Sequence, residues 1–206
     1  MPIENFDWGR GFTLDFSLFD GSSGGAAPTA RRLSQMRGMY ADADAADRAI
    51  LELGDPIIYE FHELGAPENP GILSFGTSVT YPGKVGAEFY MTKGHFHTVL
   101  DTAEVYYTLS GEGRMLTENP EGDSVLHTLE PGIALYIPPR YAHRSINTGK
   151  TPLVTFFVFR ADAGHDYGTI ETKGFRRLVL EGDGGIPVLA DNPKWKAENT
   201  ASGCVL

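Results

Sequence analysis

At 206 residues the chain can bury one sizeable core and is marginal for two. Its 27 acidic against 17 basic side chains leave a formal charge of −10, which excludes a broad nucleic-acid surface, because phosphate contacts need clustered Lys and Arg. An anionic ligand is not excluded, since a small pocket can be positive on an acidic protein.

The opening Met1-Pro2-Ile3-Glu4-Asn5 has neither a basic region nor an apolar run, so no signal peptide is expected. No apolar stretch approaches the length of a membrane span, so no membrane partner is expected either. Phe12, Leu14, Phe16 and Leu18 alternate with polar residues and predict a half-buried strand. Gly21 to Pro28 is small and turn-rich, and reads as a loop. Asp42 or Asp44 can cap a helix whose apolar face is Ala46, Ala49, Ile50 and Leu53, ending at Gly54 before Pro56. It is the one short helix the pattern predicts.

From Ile57 onward the text is strand after strand. The expected strands are Ile57–Glu63, Ile72–Tyr81, Ala87–Thr92, Glu104–Leu109, Arg114–Thr117, Val125–Leu129, Ala134–Ile137 and Leu153–Phe159, with two more flanking Asp183-Gly184-Gly185. Twenty-five glycines and thirteen prolines supply the turns between them. Many short strands at regular spacing predict an all-β fold, a closed barrel or jelly roll. No repeat or linker divides the chain, so residues 1–206 read as a single domain: an extension over 1–70, a core over 71–160 and C-terminal strands and tail over 161–206. Cys204 is the only cysteine, so no internal disulfide forms and a reducing, cytoplasmic setting is expected. The ending Cys204-Val205-Leu206 is one residue short of a prenylation box.

Gly94-His95-Phe96-His97 places two imidazoles at i and i+2, on one side of an extended segment, with Phe96 on the other. Glu104 follows at the start of the next strand, and His143 comes after the Pro138-Pro139 corner. In a barrel these four side chains can converge. Three imidazoles and a carboxylate suit a first-row divalent ion, Fe, Mn, Ni, Co or Zn, and leave neighbouring positions for water or substrate. An isolated H-x-H is more often a surface or core pair; its combination with Glu104 and His143 points to one divalent metal. There is no P-loop and no Gly-rich nucleotide fingerprint. His62 and His127 have no motif around them and read as ordinary histidines, and Trp8 and Trp195 as packing residues.

Several strings carry a resemblance. They are Tyr81-Pro82-Gly83-Lys84-Val85-Gly86, Met91-Thr92-Lys93-Gly94-His95-Phe96-His97, Ala103-Glu104-Val105-Tyr106, Tyr136-Ile137-Pro138-Pro139, Ala142-His143-Arg144, Ala161-Asp162-Ala163-Gly164-His165-Asp166-Tyr167-Gly168 and Asp191-Asn192-Pro193-Lys194-Trp195. With them the chain resembles the cupin-type glucose-6-phosphate isomerases from about Phe12 to Trp195. The resemblance implies a cupin double-stranded β-helix, a homodimer in the cytoplasm with iron as the foremost metal, and a sugar-phosphate substrate. It implies metal ligands at His95, His97, Glu104 and His143, and catalytic roles for Glu104, Tyr106 and His165. It implies substrate contacts at Tyr59, Ser78, Thr92, Lys93, Gly94 and Tyr167. Two positions depart: Ser78 stands where a Thr is expected and keeps its hydroxyl, and Phe159 stands where a Tyr is expected and cannot donate.

Aldose–ketose isomerisation has two routes. A base, with Glu104 the foremost candidate, takes the C2 proton to give an enediolate, or hydride shifts directly between C1 and C2. Two other readings stand beside this one: a non-haem metal dioxygenase built on the same ligands, and a non-catalytic metal- or sugar-binding cupin.

Overall fold

The computed structural model describes residues 6–195. Cys204 and the Met1–Asn5 stretch, with the expectations placed on them, lie outside the described residues. Among the described residues thirteen strands follow one another: β1 (Thr29–Arg32), β2 (Ile57–Glu63), β3 (Leu73–Thr80), β4 (Lys84–Val85), β5 (Glu88–Phe89), β6 (Glu104–Ser110), β7 (Gly113–Glu118), β8 (Ser124–Leu129), β9 (Ala134–Ile137), β10 (Ala142–Asn147), β11 (Leu153–Arg160), β12 (Arg177–Glu181) and β13 (Pro187–Asp191). All pair antiparallel, in sheets of order β1-β2-β3-β11-β6-β9, β10-β7-β8 and β13-β12-β5-β4. The expected all-β jelly-roll architecture is present. Side chains from the first two sheets meet in one core: Tyr106, Phe157 and Phe159 from the first, Met115 and Leu129 from the second. Among the described residues no helix is long and apolar enough to cross a membrane.

Register decides which residues share the inner face. Across the first sheet, Phe159 pairs with both Ser74 and Glu104, Phe157 with both Gly76 and Tyr106, and Thr155 with Ser78. On β2, Phe61 pairs with Ser78 and Glu63 with Gly76. Because side chains alternate along a strand, Tyr59, Phe61, Glu63, Ser78, Phe157, Phe159, Glu104 and Tyr106 all project to one side.

The main helix, α2, runs Ala43–Leu53; α1 (Leu33–Met36) precedes it and α3 (Gly168–Lys173) follows β11. The expectation of a single helix is thus corrected. α1 and α3 are four and six residues long, too short to show a 3.6-residue period. Asp42 caps α2 by accepting from the Ala45 N–H at 2.8 Å, and Gly54 ends it. Ala45 and Ala46 are buried and Ala49 and Ile50 pack beside them, but Leu53 is 59% exposed and lies off the predicted face.

The expected strand through Phe12, Leu14, Phe16 and Leu18 is also corrected. Only Phe16 forms a β-bridge, with Ser23. The alternation is real but reflects packing of an unladdered segment: Phe12 stacks on Phe75 at 6.2 Å between ring centres, and Phe16 meets Phe156 at 5.7 Å. Trp8 joins the same aromatic group, as a packing residue should. The expected strand Ala87–Thr92 shortens to β5, with a further bridge from Met91 to Ile146.

Candidate metal centre

Residues 94–98 are held between two other segments. Gly94 takes a left-handed φ of 77°, turning the chain into His95. His95 and His143 then exchange backbone hydrogen bonds (3.4 and 3.2 Å), and Phe96 and Asp166 do the same (3.3 and 2.8 Å). The first pairing joins the His-x-His segment to β10. The second brings His165 and Tyr167 alongside it, with the His165 ring 4.4 Å from that of His95. Phe96, 4% exposed, points into the core.

Glu104 Oε2 lies 3.2 Å from His97 Nε2 and 2.9 Å from His143 Nε2. The ligand atoms of His95, His97 and Glu104 fall within 4.8 Å of one another. Despite these short distances, His95 Nε2, His97 Nε2, His143 Nε2 and Glu104 Oε2 are all buried without a hydrogen-bond partner among the described residues. Four buried polar atoms left unpaired would carry a heavy desolvation penalty unless something else bonds to all of them. A divalent cation does so, and the donor set fits one. His97 Nδ1 sits 3.2 Å from the Gly164 carbonyl, which takes an N–H from that nitrogen and leaves Nε2 with a free lone pair, the usual support of a metal-bound imidazole.

The surroundings keep two of the four groups, His95 and Glu104, in binding form. Burial, then the neighbouring His143, His165 and His97, hold His95 well below the usual histidine range, so it is neutral near pH 7. Burial alone would raise Glu104, but His143 and His97 outweigh it and bring its pKa to about 2. Burial lowers His165 to about 4, so it too is neutral. Burial and Glu104 push the Tyr106 phenol well above its ordinary value, so it remains an O–H donor. Tyr167 rises to about 12, chiefly from burial.

These residues open onto a cavity lined by Tyr59, Ser78, Thr92, Lys93, Gly94, His95, Glu104, Tyr106, His143, His165 and Tyr167. Every residue that the sequence reading assigned to the site is therefore on its wall except His97, which touches Glu104 from behind. The Thr92 hydroxyl accepts from the Ser145 N–H at 3.0 Å, leaving its own proton to donate. Lys93 lines the wall with its ammonium 2.6 Å from Glu171 of α3 and 5.5 Å above the Tyr167 ring. Phe159 packs against the His97 and His165 rings.

Phe61, Glu63 and Phe157 also line the cavity and were missed from sequence. The available signal was strand parity, since Phe61 and Glu63 share a face with Tyr59, and Phe157 with Phe159. Burial raises Glu63, against the 2.8 Å hydrogen bond it takes from the Ser74 hydroxyl. His62, on β2, is buried with Nδ1 3.3 Å from the Ala26 carbonyl; His127, on β8, meets the Thr117 hydroxyl at 3.1 Å. Neither faces the cavity.

Residues 30–196 match the family described as glucose-6-phosphate isomerase (GPI). The chain is 48% identical to the glucose-6-phosphate isomerase of Thermococcus litoralis over 186 residues, which is 90% of this chain and 96% of that one. It is 47% identical to that of Pyrococcus furiosus, with the same coverage. A bacterial relative, from Sinorhizobium medicae, is 37% identical over 84% of this chain and 81% of its own. Among solved structures, the capsular polysaccharide assembling protein CapF from Staphylococcus aureus superposes in part: TM-score 0.40, 19% identity, 49% of this chain and 26% of that one.

Proposed function

The chain belongs to the cupin-type glucose-6-phosphate isomerase family, and from that membership we infer that it interconverts glucose 6-phosphate and fructose 6-phosphate with one divalent transition metal held by His95, His97, Glu104 and His143. The observation that carries the metal-site reading is a group of four buried, unpaired ligand atoms at one end of a cavity otherwise rich in hydrogen-bond donors: those of His95, His97 and Glu104 within 4.8 Å of one another, and that of His143 2.9 Å from Glu104.

A metal bound there would supply Lewis acidity for the charge that develops on the reacting sugar oxygens. Tyr106, kept protonated, donates to developing negative charge on a sugar oxygen. Glu104 is the carboxylate among the proposed ligands and the residue placed to take the C2 proton if hydrogen moves as a proton. His165, a neutral imidazole, can carry a proton between sugar oxygens. The phosphate lies at the other side of the cavity, against Tyr59, Ser78, Thr92, Lys93, Gly94 and Tyr167, where hydroxyls, an amide and an ammonium suit a dianion. Phe61, Phe157 and Phe159 provide the apolar wall that keeps water from the reacting carbons.

Three imidazoles and one carboxylate suit Fe, Mn, Ni, Co or Zn, and the family resemblance puts iron first among them. The lone thiol of Cys204 supports a cytoplasmic setting, and family membership supports a homodimer. The test is formation of fructose 6-phosphate from glucose 6-phosphate by the purified protein, its loss on chelation and its return on metal add-back. Oxygen uptake with organic chelators and no hexose-phosphate turnover would support the dioxygenase reading instead.

A further inference from the structure

Arg144 follows the proposed ligand His143 on β10 and is 3% exposed. Among the described residues it forms no ion pair; Glu88 and Glu118 act on it only from a distance. Its guanidinium instead gives two hydrogen bonds to a single backbone carbonyl, that of Lys93: Nη2 at 2.5 Å and Nε at 3.2 Å. It also lies 4.5 Å over the Phe175 ring, which is itself fully buried. Burying a full charge to hold one carbonyl is expensive, so the carbonyl's position must matter.

The peptide it holds is the one joining Lys93 to Gly94. No peptide bond here is cis, so the Lys93 C=O and the Gly94 N–H point opposite ways. With the carbonyl fastened to Arg144 on the core side, the Gly94 N–H is turned away from the core, and Gly94 lines the cavity. Two neighbouring amides are occupied: Thr92 N–H bonds to Ser145 O, and His95 N–H to His143 O. Among the described residues the Gly94 N–H has no acceptor. A charged donor on the carbonyl also polarises the whole peptide group and makes that N–H a stronger donor.

We propose that Arg144 is a positioning residue for phosphate recognition, which orients and polarises the Gly94 N–H toward the sugar phosphate by gripping the Lys93 carbonyl from beneath. This rests on the phosphate placement given above. Side-chain identity matters in two ways: Lys in its place keeps the charge but not the two-pronged hold, and Met keeps much of the length but neither.

The test compares wild type, Arg144→Lys, Arg144→Met and Phe175→Leu in steady-state isomerisation of fructose 6-phosphate, with inorganic phosphate as a competing inhibitor. For Arg144→Met, KM and the phosphate inhibition constant rise together by about tenfold or more, the loss of a hydrogen-bond chain to a charged group. Arg144→Lys rises less. Phe175→Leu, which keeps an apolar side chain in the core and removes the ring under the guanidinium, rises about threefold. kcat changes far less than KM in each, and metal content stays at the wild-type level. A purely structural role would reduce the folded fraction, and so the apparent kcat, without moving KM. If Arg144→Met does not fold, Arg144→Lys and Phe175→Leu decide alone. Unchanged KM and unchanged phosphate inhibition in these variants, with an active wild type, overturn the proposal. An inactive, metal-loaded wild type would instead overturn the isomerase reading itself.

Discussion

Replacing Gly94 with alanine tests the local geometry of the site in one step. At φ 77° an L side chain is strained by roughly 1–2 kcal/mol. A Cβ built there would also lie 2.7 Å from Phe175 Cε2, 2.8 Å from the His143 carbonyl oxygen and 3.0 Å from Arg144 Cβ. None of these can swing aside: the ring is fully buried, the carbonyl is bonded to His95 N–H, and the third atom is fixed by its own backbone. Overpacking of that kind adds about 1–3 kcal/mol, so Gly94→Ala is expected to lose roughly 2–5 kcal/mol in total. Gly132→Ala is the control. Its φ is 91° with nothing within 4 Å of the added carbon, so it should show the backbone part alone, roughly 1–2 kcal/mol. Urea denaturation followed by circular dichroism measures both. Equal losses in the two variants would refute the close approach of the 94 loop to β10 and to Phe175.

Lys93→Ala should raise KM for fructose 6-phosphate with kcat little changed, because an ammonium 2.6 Å from Glu171 on the cavity wall binds ground and transition states alike; an unchanged KM removes it from the phosphate site. Phe159→Tyr adds a donor beside His97 and His165 and should lower KM roughly two- to tenfold, while a rise would mean the hydroxyl finds no partner in that packing. Burial raises the pKa of Glu88 above its ordinary value, against the Ala41 N–H and Arg144. The native state therefore holds its proton longer than the unfolded chain. That contribution to stability is complete below the unfolded carboxylate pKa and is lost as pH rises through the higher folded value. Urea midpoints taken upward from pH 4 should show this fall, and Glu88→Gln should flatten it; an identical slope in the variant would contradict the assignment.

Much of the barrel was legible because its strands alternate and its turns are marked by Gly and Pro. Where legibility failed, the cause is physical. β10 was missed because all six of its residues are buried, polar ones included, so no period of two survives. Apart from the His143 ring, its polar side chains are satisfied internally, as when Asn147 Nδ2 donates to the Thr80 and Thr151 carbonyls. The segment through Phe12 and Phe16 showed the converse: alternation without a ladder, produced by aromatic packing on the sheet's outer side. In the site, His95, His97, Glu104 and His143 were visible because their spacing suits coordination. Glu63 and Phe61 were not, because only strand parity relates them to Tyr59. Arg144 stood beside His143 in the sequence, but its hold on the Lys93 carbonyl depends on two segments 51 residues apart meeting in space.

The central claim is that His95, His97, Glu104 and His143 share one ion. Metal analysis of purified wild type, His143→Ala and Glu104→Ala, with circular dichroism as the check on folding, tests it most directly. The expected result is about one equivalent of a divalent transition metal in the wild type, and little in either folded variant, because each loses one of four ligands. Full metal retention in both variants, or a wild type that takes up no transition metal from any of the five candidates, would contradict it.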